Sequence, residues 1–228
     1  MTTTVTADTL VPEQLWQAIQ PLLPTPPPRC GGCPRVDDRA ALAGIVYQLR
    51  TGIPWRLLPT RQLGCGSPVT CWRRLRDWQR TGVWQQLHHL LADRRGIPLA
   101  VCLSAANTHD SMLLEAAADA VPPIKGPRGR PGRPGKRPAK LHCDKGYDYP
   151  RCRWALRRRG ITARIARRGI EPGDKLGRHR YVVERSLAWL VGYRRLQVRY
   201  ERRADILLAF LYLACALICL KSLSQSKV

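Results

Sequence analysis

The sequence predicts an α/β protein in two parts: an N-terminal helical, helix-turn-helix-like module over residues 10–92, followed by an α/β domain over residues 93–221. Three observations carry this. Before Asp93, apolar residues recur at helical spacing in four successive segments. Beyond Gly96, short apolar runs of strand length alternate with helical patterns. Finally, 39 Lys plus Arg stand against 16 Asp plus Glu, a net charge of +23 spread along the chain.

The first helix begins near Pro12 with Leu15, Trp16, Ile19, Leu22 and Leu23 on one face, and stops at prolines 24 to 28. A second starts at Asp37 as N-cap, carries Leu42, Ile45, Val46 and Leu49 inward, and ends at Gly52. In the third, Ser67 caps and Pro68 takes the first turn. Val69, Trp72, Leu75 and Trp78 form its inward face, leaving Thr70, Arg73, Arg74, Asp77 and Arg80 outward. Arginines on the free face of a third helix suit a recognition helix in a DNA groove, although such a face can equally be a solvated one. The linker from Gly52 to Gly66 is also longer than the usual turn of that motif. A fourth helix, with Val83, Trp84, Leu87, Leu90 and Leu91 inward, closes the module.

In the second part, Ile97 to Leu103 reads as a strand. A helix capped by Asp110 follows, with Leu113, Leu114, Ala117 and Val121 on its apolar side. The Gly/Pro/Arg/Lys stretch from Lys125 to Lys140 reads as an exposed loop. Then come a strand at Leu141 to Cys143, a helix from Tyr149 to Arg158, a strand at Ile161 to Ile165 and two long helices. The first of these holds Glu184 and Trp189, and the second is the apolar run from Ile206 to Leu220. That run falls short of the ~20 residues that cross a bilayer, so a buried helix and no membrane partner are expected.

Composition narrows the function. A hydrophobic share of 44% supports a packed core and argues against disorder. Such an excess of positive charge repels itself unless a polyanion screens it, and nucleic acid is the commonest such partner. No segment near the N-terminus has the pattern of a secretory signal, and the nine cysteines are an odd count, four of them in apolar stretches. Reduced, packing cysteines in a cytoplasmic, nucleoid-associated protein are therefore expected. Cys30 and Cys33 form a Cys-x2-Cys, but Cys65 and Cys71 lack the spacing to complete a zinc site, so a chance pair is the simpler reading.

Carboxylates are few, so those at the ends of apolar elements stand out. Asp144 directly follows the strand Leu141 to Cys143, at a carboxyl end where α/β sites gather, or it simply begins a turn. Glu184 lies in the first turn of a helix with Arg180 four residues before it, as a possible ligand or only as a favourable charge at a helix N-terminus.

These residues carry a resemblance. Asp144-Lys145-Gly146-Tyr147, the Arg180 to Glu184 spacing, Asn107, His109 and Asp110, and the closing series through Trp189 to Arg202 resemble the DDE transposases of bacterial insertion sequences. So do Arg35 to Arg39, Leu49 to Arg56 and Trp72 to Trp78 in the N-terminal module. The resemblance implies an RNase H-like domain in which three carboxylates hold two Mg²⁺ ions for an in-line displacement at DNA phosphorus. Asp144 and Glu184 match the second and third metal-binding catalytic acids. Arg180, with Arg73, Arg74 and Arg76, would contact DNA. The implied partner is double-stranded DNA at the element's ends, and a homodimer is compatible with it.

Two small departures from the family pattern are Gly177 for a tyrosine and Cys33 for an arginine. The large one is at the first acid. That acid and its strand have no counterpart, because the chain runs from Leu90-Leu91-Ala92-Asp93 straight into Arg94-Arg95-Gly96-Ile97, as if several dozen residues had been removed in frame. Asp93 ends a helical pattern and Asp110 sits as a cap, so neither replaces it. The expectation is an incomplete RNase H-like domain with a damaged sheet and impaired cleavage.

Overall fold

Local capping signals set the helices of the first part. In the computed structural model, which describes residues 6–26, 31, 34–91, 99–122, 137–167, 169 and 187–225, the Asp37 carboxylate accepts from the Ala40 amide at 2.9 Å. This opens a helix at Asp38–Thr51 that Gly52 closes in the left-handed region, at φ 68°. The Ser67 hydroxyl accepts from the Thr70 amide at 3.1 Å ahead of Pro68 in the first turn. In chain order the helices are α1 (Ala7–Leu10), α2 (Glu13–Ile19), α3 (Asp38–Thr51), α4 (Thr60–Leu63), α5 (Pro68–Arg80), α6 (Val83–Leu91), α7 (Leu114–Asp119) and α8 (Pro150–Arg158). Residues 187–191 are also helical, followed by a short helix at Arg194–Gln197 and the C-terminal helix Ala204–Gln225. Strands β1 (Lys140–Cys143) and β2 (Thr162–Ile165) form a two-stranded parallel sheet. The chain is thus mostly helical with a small parallel sheet, consistent with α/β.

Two units divide the chain: Met1–Ala92 together with Trp189–Val228, and Asp93–Ala188. The first is helical. Its α3 is buried almost all round, with Leu42, Ile45, Val46 and Leu49 fully enclosed. Gly44 lets α3 approach the α4–α5 junction, since a Cβ there would stand 2.7 Å from Cys71 Sγ and 3.1 Å from Cys65 Sγ. Trp78 and Trp84 are both buried and meet edge to face at 5.4 Å, and the Trp84 indole N–H donates to the Leu75 carbonyl at 3.0 Å, which satisfies its polar edge.

The second part was expected to run to residue 221, but the C-terminal helix packs within the first unit, against α2, α5 and α6. Ile206, Phe210, Leu213 and Cys215 are fully buried, and Phe210 stacks on Trp55 at 6.1 Å. The length argument against a membrane span does not survive. The helix has 22 residues, and Ala204–Ser224 would pass as a span by length and composition alone. Its buried side chains make it instead the core helix of this unit. Arg195, only 5% exposed, is held there by Glu201 at 2.5 Å and by the Ile53 carbonyl at 3.1 Å, with the Tyr200 ring 4.9 Å from its guanidinium.

In the second unit α8 links β1 to β2, whose register pairs Leu141 with Ala163 and Cys143 with Ile165. Leu114 and Ala118 of α7, Cys152 and Leu156 of α8, and Ile161 and Ile165 form the buried cluster, against which Leu141, Cys143, Tyr147, Tyr149 and Ala163 pack.

Several expectations need correction. Val69 is 55% exposed, and the inward face of α5 is Cys71, Leu75 and Trp78, because α3 and Cys65 crowd the side on which Cys71 lies. On α6, Leu90 is 61% exposed and His88 is buried in its stead against Tyr212, at a ring separation of 5.8 Å. The run expected as a strand from Ile97 to Leu103 lies partly outside the described residues, and Leu99 to Leu103 form no strand. A strand needs a ladder partner, and the sheet of the described residues consists of β1 and β2 alone. The turn at Asp110–Leu113 is capped by His109, not Asp110, and it is Ala118, not Ala117, that turns fully inward on α7. Cys30, Cys33, Asp93, Gly177, Arg180, Glu184 and most of the stretch from Lys125 to Lys140 lie outside the described residues.

Candidate nucleic-acid interface and carboxylate site

The three arginines expected to meet DNA on α5 have different surroundings. Arg73 projects into solvent and has no ion-pair partner among the described residues. Arg74 turns back to Asp38, its Nε 3.0 Å from the carboxylate, with both side chains 19% exposed. Arg35 also donates to Asp38, its Nη2 reaching both carboxylate oxygens at 2.9 and 3.0 Å. This triad ties the start of α3 to α5, so Arg74 is a structural cation first. Arg76 pairs with its neighbour Asp77 at 2.7 Å and lies 5.4 Å over the Trp72 ring. Arg80, at the last turn of α5, is exposed like Arg73. A side chain free of internal partners can pair with phosphate without breaking an existing contact, which singles out Arg73 and Arg80.

Asp144 stands at the carboxyl end of β1, exposed, where it caps the turn Lys145–Tyr147. Its Oδ1 accepts from the Gly146 amide at 2.9 Å, and a Cβ on Gly146 would sit 2.9 Å from that oxygen, so a side chain there would displace the capping carboxylate. Next to it, His109 accepts from the Ser111 amide at 3.2 Å and meets the Tyr149 ring edge-on at 5.6 Å. Arg151 reaches the Ser111 hydroxyl at 2.5 Å and lies 5.1 Å over Tyr149. Burial pushes the Tyr147 phenol upward, helped by the negative charges of Asp110 and Asp144. Burial, with Asp144 beside it, likewise holds the Cys143 thiol at about 11, so it stays protonated and unreactive near neutral pH. Sequence patterns do not reveal the His109–Ser111–Arg151 network, because Arg151 lies 40 residues from Ser111 and meets it only through the packing of α8.

Among the described residues no three His, Cys, Asp or Glu side chains converge as a metal site. Asp144 is the one member of the expected Asp144–Glu184 pair that is described, and half of its carboxylate is engaged with the Gly146 amide. A two-Mg²⁺ centre needs several carboxylate oxygens directed at one point, and these residues alone do not supply it.

Comparison with known proteins places these features in a family. Residues 11–88 match the family described as "Putative transposase of IS4/5 family". Residues 76–219, more than half of the chain, match "Transposase DDE domain". The chain belongs to the DDE transposase family. It is 50% identical over 139 residues to the "Putative transposase for insertion sequence element IS402" of Burkholderia cepacia, 61% of this chain and 64% of that protein. It is also 54% identical over 88 residues to the "Insertion element IS402 uncharacterized 16.2 kDa protein" of the same organism, 37% of this chain and 59% of that one. The alignments therefore span less than two thirds of either relative. No solved structure matches. Within this chain the DDE match takes in both Asp144 and Glu184, and the IS4/5 match takes in α5 with its arginines.

Proposed function

We propose that the chain is an insertion-sequence transposase that binds double-stranded DNA at its element's ends, in the cytoplasm at the nucleoid, and whose Mg²⁺-dependent strand cleavage and transfer are impaired. Exposed Arg73 on α5, in a chain of net charge +23, supports the DNA-binding half. One observation carries the impairment. The apolar residues Leu99 to Leu103, which the family pattern would pair with the strand bearing the first acid, have no ladder partner among the described residues. Asp144 and Glu184 would then be two of three acids, with Arg180 beside Glu184 to meet a phosphate. The Mg²⁺ ions, held by a full acid set, would supply Lewis-acid activation of the DNA phosphate.

The test is nicking of end-bearing DNA with Mg²⁺ present, alongside a gel shift. Residual nicking that Asp144→Ala abolishes, with the shift intact, supports a weakened enzyme. The absence of that strand partner also favours a second reading, a non-catalytic end binder that competes with an intact transposase. It requires the wild-type chain to shift end-bearing DNA, to produce no nicks, and to inhibit an active enzyme in the same tube. Binding that follows salt and charge with no preference for ends would sink both readings.

A further inference from the structure

Trp154 is 60% exposed on α8, although the helix is otherwise well packed: Cys152, Ala155 and Leu156 are buried and complete the core without it. An indole left in water is an unspent apolar surface. Its neighbours are cations. The Arg158 guanidinium lies 4.6 Å over the indole ring. Arg157, three residues on and therefore on the same face, is exposed and has no partner among the described residues. Beside them an open cleft of about 380 Å³ runs between α8 and β2, lined by Arg153, Arg157 and the backbone from Gly160 to Ala163. Among the described residues, Asp148 holds Arg153 at 2.6 Å, Glu115 pairs with both Arg158 and Arg159, at 3.3 and 2.8 Å, and Asp119 with Arg159 at 2.6 Å, so none of these pairs takes Arg157. Arg157 and the exposed part of the Trp154 ring are thus available to a ligand.

We infer that α8 and this cleft form a docking surface for single-stranded DNA, with an unpaired base stacked on Trp154 and its phosphates against Arg157. A duplex closes its base faces, so an exposed aromatic flanked by guanidiniums suits an unpaired strand, where stacking works with every base. The inference rests on the DNA-handling reading above, but uses residues in the other unit from Arg73.

The test uses the full chain with a labelled mixed-sequence single strand and, separately, a duplex. Trp154→Ala should weaken single-strand binding roughly tenfold, as loss of one stacked base does, and move duplex binding less than about twofold. Trp154→Phe should recover most of the affinity, and Arg157→Ala should lower the salt slope on the single strand by about 0.7. Arg73→Ala should do the reverse, weakening the duplex and sparing the strand. A bromouracil-substituted strand should crosslink the unmodified protein at α8, which needs no variant to fold. The inference is overturned if Trp154→Ala binds the strand like the parent, if it loses strand and duplex alike, or if the crosslinks fall only in residues 1–92 and 189–228. If Arg73→Ala leaves duplex binding unchanged while Trp154→Ala still fails on the strand, the DNA-binding role given to α5 falls and the α8 surface stands.

Discussion

Arg73 and Arg74 are sequence neighbours with opposite fates. Arg73→Ala should weaken duplex binding and reduce the salt slope by about 0.9, the share of one phosphate contact, while leaving the melting temperature unchanged. Arg74→Ala should instead cost up to about 1 kcal/mol in urea unfolding, because it strips a partner from the part-buried Asp38. Gly44 is constrained more tightly. Gly44→Ala would force a methyl against Cys71 Sγ and should cost about 1–3 kcal/mol, an effect that a second change, Cys71→Ala, should partly relieve. His89 offers a pH handle. Burial lowers its pKa, so the unfolded chain takes up its proton first, and the contribution to stability, full above the ordinary histidine range, is lost as pH falls through it. Unfolding followed from pH 7.5 to 5 should show a decline that His89→Gln flattens.

At the level of the element, the starts and ends of α3 and α5 were legible because a cap is local: Asp37 with Ala40, Ser67 with Thr70, and Gly52 free to take positive φ. Which positions face the core was less so. The pattern of α5 admits a stripe through Val69 and Trp72 or one through Cys71, Leu75 and Trp78, and the choice rests on how α3 and Cys65 pack. Leu90 and His88 of α6 changed places in the same way, once Tyr212 arrived from the C-terminal helix. That helix is the clearest case. Its apolar run was visible, but its company was not, and Phe210→Ala should destabilise the first unit by about 3–5 kcal/mol, as removal of a buried aromatic does. The parent protein should stay in the supernatant when membranes are pelleted; recovery in the pellet would contradict the core role of this helix.

For the whole molecule, the two units differ in what encloses them. The helical unit buries Trp78, Trp84 and Phe210, whereas among the described residues the sheet of the other consists of two four-residue strands. Amides of residues 140–143 and 162–165 should therefore exchange faster than those of α3 and the C-terminal helix; equal protection would argue against a damaged sheet. Asp144 was legible as a candidate because its place after an apolar strand is written in consecutive residues. The surroundings of that site were not, since Arg151 reaches the His109–Ser111 turn from a segment 40 residues away. By itself the sequence determined the caps at Asp37, Gly52 and Ser67, the positive charge and the family motifs, all of which depend on residues a few positions apart or on composition. Only the tertiary structure decided that Arg74 is bound to Asp38 while Arg73 has no ion-pair partner among the described residues, that the C-terminal helix completes the N-terminal unit, and that Trp154 remains in water. Those outcomes depend on contacts between segments distant in the chain, where burial and pairing with a specific neighbour outweigh any local preference.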